Sequence, residues 1–380
     1  MFKSKPTLRV GFRVRLIVGV VGLVAALAGC GSSSSSTSSG AANSSSSSGG
    51  SAPTGSATSG ASSTPSGGGK GELLIYSNSG KAYIQPVLDA FAKAYPNIKL
   101  SYTDVEDPVA FARYRAEHAQ GARTADIIIA SSPSLWDENR NIALNWTPTD
   151  ASAYPSSLRQ FPGVFILSPD PAVSIYSKAK LPANRVPNTF PQLESYLKQY
   201  PDLFNKKIVT YTADNFFGYS AFWSLVHKQG WSPLNVLGPA SKAQPDGVAM
   251  GQQLATGAAN YGFFESGVIR GSLTPTQKQL IGWEYMRDFT PLIPRGVAIT
   301  KGAANPTAAK TFLNWVYSVP GQQVLCSTGF TAFRTGVNCP NSLASVQQAV
   351  GASNVYLVPF HSTISQERPS FVKRWHQVFG

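Results

Sequence analysis

Four short stretches of the sequence place hydroxyls, amides or a carboxylate just where a strand gives way to a helix. They are Ser77-Asn78-Ser79, Ser131-Ser132, Asp214-Asn215 with Phe216, and Glu265-Ser266. Helix starts leave backbone N–H groups unpaired and carry the positive end of the helix dipole, so hydroxyl-rich helix starts suit an anionic or hydrogen-bonding solute. Ser79, Ser132, Asp214 and Asn215 also suit the plain role of helix caps. Ser77 and Ser131 each precede a candidate cap and are less easily explained that way. Glu265 reads either as a surface ion-pair partner or as a carboxylate that favours an amine or a metal. Among Tyr211, Phe216, Phe217, Tyr219 and Trp223, core packing is the default, with Phe216 and Tyr219 the two expected to face a ligand. The candidate ligand-binding set is therefore Ser77, Asn78, Ser79, Ser131, Ser132, Asn215, Phe216, Tyr219, Glu265 and Ser266.

The elements that must position these residues are legible from hydrophobic pattern. Glu72–Tyr76 is a short apolar strand. Ile84, Val87, Leu88, Phe91 and Tyr95 then recur at helical spacing, on a helix from about Lys81 to Tyr95 that Ser79 would cap and Pro96 ends. Residues 97–102 alternate as a strand, and a helix follows over about 108–120. Ala125–Ala130 is the clearest strand, with Ser132 and Pro133 set as cap and first helical residue. Val164–Leu167 and Val173–Tyr176 read as two strands around a Pro-Asp-Pro turn. Further strands are expected at 207–211, 260–264 and 296–300, and helices at 190–200, at 216–229 closed by Gly230, at 306–317 and from 321. Alternating strands and helices predict an α/β fold with a mainly parallel sheet.

Ahead of this part lies a different kind of sequence. Lys3, Lys5, Arg9, Arg13 and Arg15 precede an apolar run from Leu16 to Leu27, which ends in Leu27-Ala28-Gly29-Cys30. A basic head, a short apolar body and a small-residue cleavage site make a secretory signal. The run is shorter than the roughly 20 residues a spanning helix needs. Leu-Ala-Gly-Cys resembles the bacterial lipobox, which implies acylation of Cys30. Residues 31–69 are nearly all Ser, Gly, Ala and Thr with scattered Pro, too poor in apolar bulk to fold. As a flexible coil they would span about 35 Å, enough for a tether.

The chain's formal charge is +13, and removing the five leader cations leaves +8. The cations are scattered with no basic run, so nucleic-acid binding is not expected. Cys326 and Cys339 form an even pair in an exported chain, for which a disulfide is plausible. The four histidines are dispersed, and no nucleophile elbow, zinc-hydrolase helix or nucleotide loop is present, so neither catalysis, a metal nor a cofactor is called for.

Taken in order, four stretches resemble the solute-binding proteins of bacterial ABC importers, which have the type II periplasmic-binding-protein fold. They are Leu74–Ser77 with Val87–Pro96; Arg115-Ala116-Glu117 with Thr124–Ile128; Gly262–Ser266; and Gly296–Arg334 with its Ala308-Ala309-Lys310-Thr311-Phe312 core. The nearest branch is that of ferric-iron, phosphonate, sugar-phosphate and polyamine binders. The resemblance implies two hinged lobes, 70–165 with 290–335 and 166–289 with 336–380, preceded by a signal at 1–29 and a tether at 30–69. It further implies a monomer held at the outer membrane face by lipid, delivering a small solute to an importer permease. An anionic or zwitterionic solute is expected, with a phosphonate or phosphorylated compound favoured. The alternatives are ferric iron, whose binders usually show a Tyr-Tyr pair absent here, and a surface sensor with the same fold.

Overall fold

The computed structural model describes residues 70–380; the leader, Cys30 and the Ser/Gly-rich stretch lie outside them. Eleven strands occur among the described residues: β1 (Gly71–Ser77), β2 (Ile98–Asp104), β3 (Ile127–Ala130), β4 (Arg159–Phe161), β5 (Val164–Ser177), β6 (Ile208–Tyr211), β7 (Ser241–Gln244), β8 (Tyr261–Ser266), β9 (Ile281–Glu284), β10 (Thr290–Ile299) and β11 (Val355–Leu357). They join in the order β2-β1-β3-β10-β5-β8-β6-β7, with β11 on β10 and both β4 and β9 on β5.

Pairing is parallel on the two flanks, where β1 joins β2 and β3, and β6 joins β7 and β8. It is antiparallel where β5 and β10 run together through the middle. The inner flanking strands β3 and β6 are buried along their whole length because both their faces are covered, whereas β2 and β7 at the edges are polar and partly exposed. In β3, Ile127 and Ile129 enter one core while Ile128 and Ala130 enter another on the opposite face.

The buried apolar residues form two large cores. The first gathers Ile75, Val87, Phe91 and Ile129 with Phe312 and Val316 of the helix Pro306–Tyr317. The second gathers Val173, Ile208, Phe222 and Phe263 with Phe371 and Trp375 of the C-terminal helix Ser362–Phe379. β5 and β10 serve both. Phe165–Leu167 and Val297 lie in the first core, while Val173, Ile175, Leu292 and Ile293 lie in the second.

Between these ends, Pro169-Asp170-Pro171 departs from the expected turn. The segment is extended, so that the two strands expected here are one 14-residue strand. The reason lies in the partner strand: Pro169 sits opposite Pro294 in register. A proline has no N–H to leave unpaired, so both strands tolerate the position that would otherwise break a ladder.

Several helices carry no strong sequence signal and are not expected from pattern alone. Ser232–Ala240 contains two prolines, and Gly247–Ala255 begins on a glycine behind the cap Asp246. Ser362–Phe379 buries Ile364, Phe371 and Trp375, and Ser365 Oγ donates to Asp137 Oδ2 at 2.7 Å on the far element. Cys326 and Cys339 are joined as a disulfide across a separation of 13 residues.

Candidate functional site

The C-terminal ends of β1, β2, β3, β6 and β8 and the starts of five helices enclose a cavity of about 520 Å³. Asn78, Ser79, Asp107, Ser131 and Arg295 come from the strands and helices around the first core; Tyr211, Asn215, Phe216, Gly247, Glu265 and Ser266 come from those around the second. Open α/β sheets hold ligands outside the carboxyl ends of their strands, and this cavity occupies that position.

Of the residues expected at the site, the structure brings together Asn78, Ser79, Ser131, Asn215, Phe216, Glu265 and Ser266. Ser77 stands one layer behind, its Oγ donating to Ser79 Oγ at 3.0 Å and accepting from Ser79 N. Ser132 is fully buried at the start of the helix Pro133–Glu138 and accepts no capping bond. Tyr219 lies outside the cavity lining: the C-terminal helix covers it, its hydroxyl donates to the Ile364 carbonyl, and its ring packs edge-on against Phe371. A face of the helix Phe216–Gln229 that would otherwise be open is thereby core.

Ser79 is not a cap. The helix Lys81–Ala94 starts from Gly80 with no side-chain capping bond, and Gly80 and Tyr83 of this start line the cavity. Asn215, by contrast, does cap, accepting from Phe217 N at 2.9 Å and Gly218 N at 3.1 Å.

The first wall is a linked network. Arg295 donates from one terminal nitrogen to Asn78 Oδ1 at 2.9 Å and Ser79 Oγ at 3.0 Å. Its other terminal nitrogen lies 3.0 Å from Asp170 Oδ2. Asn78 Nδ2 donates to Ser131 Oγ at 2.8 Å, and Ser131 N donates to Asp107 Oδ2 at 3.0 Å. The Asp107 carboxyl is 2 % exposed, and its Oδ1 has no partner. Burial pushes it up to about 7, against the pull of Arg295.

The second wall centres on Glu265. Its Oε1 accepts from Tyr211 Oη at 2.7 Å and from Ser266 N at 2.8 Å, and its Oε2 has no partner. Among the described residues no cation offsets its burial, which pushes the carboxyl from 4.5 up to about 7, with Asp246 adding to the rise.

Sequence reasoning missed Arg295, Asp107 and Gly247. The one signal for Arg295 is a lone cation inside an otherwise apolar strand, between Pro294 and Gly296. Asp107 reads as an ordinary first-turn acid of its helix.

Residues 76–323 match the family described as bacterial extracellular solute-binding protein. The chain belongs to that family. As such a protein it binds a solute outside the cytoplasm.

Solved structures share the solute-binding protein's fold. The substrate-binding protein of an ABC transporter from Agrobacterium tumefaciens aligns with a TM-score of 0.73 at 22% identity, covering 81% of this chain and 95% of that one. Apo ferric ion-binding protein A from Pasteurella haemolytica aligns at 0.63 and 17% identity, covering 81% and 97%. The periplasmic binding protein AfuA from Actinobacillus pleuropneumoniae, solved with exogenous fructose-6-phosphate bound, aligns at 0.63 and 15% identity, covering 82% and 99%. A comparison with curated proteins finds no match.

Among the described residues, the solute-binding protein has no group of three His, Cys, Asp or Glu side chains placed to hold a metal ion. Its cavity is instead acidic. Asp104, Glu106, Asp107, Asp214, Asp246 and Glu265 line it, against the single guanidinium of Arg295.

Proposed function

We propose that this protein captures one small, hydrophilic, charged solute in the cavity and hands it to an importer permease. The observation that carries this reading is the lining itself: residues from around both cores meet in one cavity, and each wall presents a buried polar atom without a partner, Asp107 Oδ1 on one and Glu265 Oε2 on the other. Buried polar atoms cost free energy unless bonded, so two of them on side chains that line a shared cavity support a ligand that supplies the missing bonds.

In this reading residues 70–165 with 290–335 form one lobe and 166–289 with 336–380 the other. β5 and β10 are the crossing segments about which the lobes close on solute. The uncapped start of the helix Lys81–Ala94, with the hydroxyls of Ser79 and Ser131, takes an anionic group such as a phosphonate, phosphate or carboxylate. Ferric iron has less support, because Tyr211, one of the two tyrosines that line the cavity, gives its hydroxyl to Glu265. Cys30 carries a lipid that holds the monomeric protein at the outer membrane face, with residues 31–69 as tether.

A thermal-shift panel of phosphonates, sugar phosphates, amines and oxyanions tests the reading. A true solute at 100 times its dissociation constant stabilises the protein by about 2.7 kcal/mol. Ser79→Ala and Ser131→Ala should lose that shift, each measured against its own unliganded melting temperature. A panel without any shift, or a shift indifferent to both substitutions, removes the cavity as the site. For the anchor, Cys30→Ser should release the protein into the medium.

A further inference from the structure

The second wall is built around one carboxylate more deliberately than a surface acid would require. In β8 the register slips against β5: Glu265 pairs with Val173 while Gly262 pairs with Ile175, so three steps on one strand oppose two on the other. Such bulges re-aim side chains. Here the extra residue puts Phe264 at φ 58, in the left-handed region, and stacks its ring on that of Phe263 with centroids 4.0 Å apart. Both phenylalanines go to the core, and the next side chain, Glu265, goes to the cavity.

The neighbouring helix makes room for it. A Cβ at Gly247 would lie 2.4 Å from Glu265 Oε1 and 2.8 Å from Oε2, so only glycine admits the carboxylate there. Glu265 is 2 % exposed with one oxygen unpartnered, and among the described residues no lysine, arginine or histidine accompanies it. Across the cavity Asp107 is equally buried and also has an unpartnered oxygen. The cation that does line the cavity is committed: Arg295 is shared among Asp170, Asn78 and Ser79.

We infer that Glu265 and Asp107 receive a protonated amine, so that the solute is an amine-bearing zwitterion or cation rather than a pure anion. The inference rests on the cavity being the solute site. An ammonium group supplies up to three donors, the positive charge that Glu265 lacks, and for Asp107 a closer partner than Arg295, whose guanidinium is bonded elsewhere. A zwitterion also uses the first wall, setting its anionic end against Ser79, Ser131 and the uncapped helix start. A wholly anionic solute would instead meet six acidic side chains.

The test uses matched probes on the full-length protein: putrescine against 1,4-butanediol, 2-aminoethylphosphonate against 2-hydroxyethylphosphonate, and fructose-6-phosphate and ferric citrate as amine-free compounds. Titration calorimetry should show an amine member binding at least ~30-fold more tightly than its hydroxyl counterpart, the scale of a buried charge-assisted bond. Glu265→Gln should remove that preference by a similar factor. Asp107→Asn, which keeps Glu265 in place, should weaken amine binding in the same direction.

Amine binding near pH 7 should release protons, read as a dependence of the binding heat on the buffer's ionisation heat. Glu265→Gln should reduce the release. The groups facing Glu265 are Tyr211 from β6, Asp246 and Gly247 from the adjoining helix, and Ser266. A merely structural glutamate would leave the proton count unchanged. An amine-free compound that binds the cavity with full affinity in Glu265→Gln overturns the amine assignment and leaves the solute-binding reading standing. If no probe binds, and the protein recovered from its own cells releases no small molecule on denaturation, the solute-binding reading falls and the amine assignment falls with it.

Discussion

Arg295 on β10 and Asp170 on β5 form an ion pair at 3.0 Å, with side chains 8% and 1% exposed, in the stretch where the two strands pass between the cores. Asp170 Oδ1 also receives the Ser168 hydroxyl, and Arg295 reaches forward to Asn78 and Ser79 on the cavity wall. The pair thus links the crossing strands to the site. Its two members are not equivalent under mutation. Asp170→Asn leaves a guanidinium buried without its counter-charge, and arginine cannot discharge itself, so a loss of about 3–5 kcal/mol is expected. Arg295→Met leaves a carboxyl that burial already raises and that can take up a proton. Its cost should therefore be smaller, and smaller still at pH 5 than at pH 8. Urea denaturation of both variants at the two pH values checks this; equal losses would show that the pair's charge is not what matters.

Much of this arrangement is legible in the order of residues, and the parts that are not have physical reasons. Asn78, Ser79 and Ser131 stand out because each follows a short apolar strand, and strand ends in such folds face a cavity. Arg295 does not, because a side chain inside a strand gives no sign of which groups will cross its path; its partners are 125, 216 and 217 residues away in sequence. Pro169 and Pro171 suggest a turn because proline usually ends a strand, and only the facing Pro294 explains why the strand continues. Tyr219 sits one helical turn from the cavity-facing Phe216, and spacing alone puts both near the ligand. What separates them is the helix Ser362–Phe379, drawn from the part of the sequence whose pattern resembles nothing recognisable.

The two buried carboxyls give the unliganded protein a signed dependence on pH. Burial raises Glu265 from 4.5 and Asp107 from 3.8, each to about 7, so both bind protons more tightly folded than unfolded. Their stabilising contribution is complete below the unfolded values and is lost as pH rises through about 7. The melting temperature should therefore fall between about pH 4 and 7.5, from the unfolded values up through the raised ones, and level off above. For Glu265 the free-energy change is on the order of 3 kcal/mol. Glu265→Gln should flatten part of the fall and Asp107→Asn another part. A wild-type protein that gains stability over this range would refute the assignment of these groups as buried and uncompensated.

Two glycines of one helix offer an internal control. A Cβ added at Gly251 would meet nothing within 4 Å, whereas one at Gly247 would lie 2.8 Å from Tyr211 Oη as well as press against Glu265. Helix propensity alone makes Gly→Ala stabilising by about 1 kcal/mol in a helix interior. Gly251→Ala should show that gain and keep its ligand affinity. Gly247→Ala should lose about 1–3 kcal/mol through overpacking and bind solute more weakly, because Glu265 and Tyr211 must move. Thermal melts and calorimetry on the pair separate helix propensity from site geometry.

The disulfide has a similar double consequence. Cys326 and Cys339 close a short loop that carries Phe330 and Thr331. Phe330 lines the cavity with its ring 5.4 Å from the Arg295 guanidinium carbon, and Thr331 N donates to Ser168 Oγ at 2.8 Å, beside Asp170. A loop of this length is worth roughly 3 kcal/mol when closed, on the chain-entropy account. Replacing both cysteines by serine should lower stability by about that amount and weaken solute binding, since the loosened loop no longer holds Phe330 under Arg295. Reductant should reproduce both effects in the wild type and do nothing further to the double variant. If reductant lowers the melting temperature but leaves affinity untouched, the bridge serves the fold alone and Phe330 keeps its place without it.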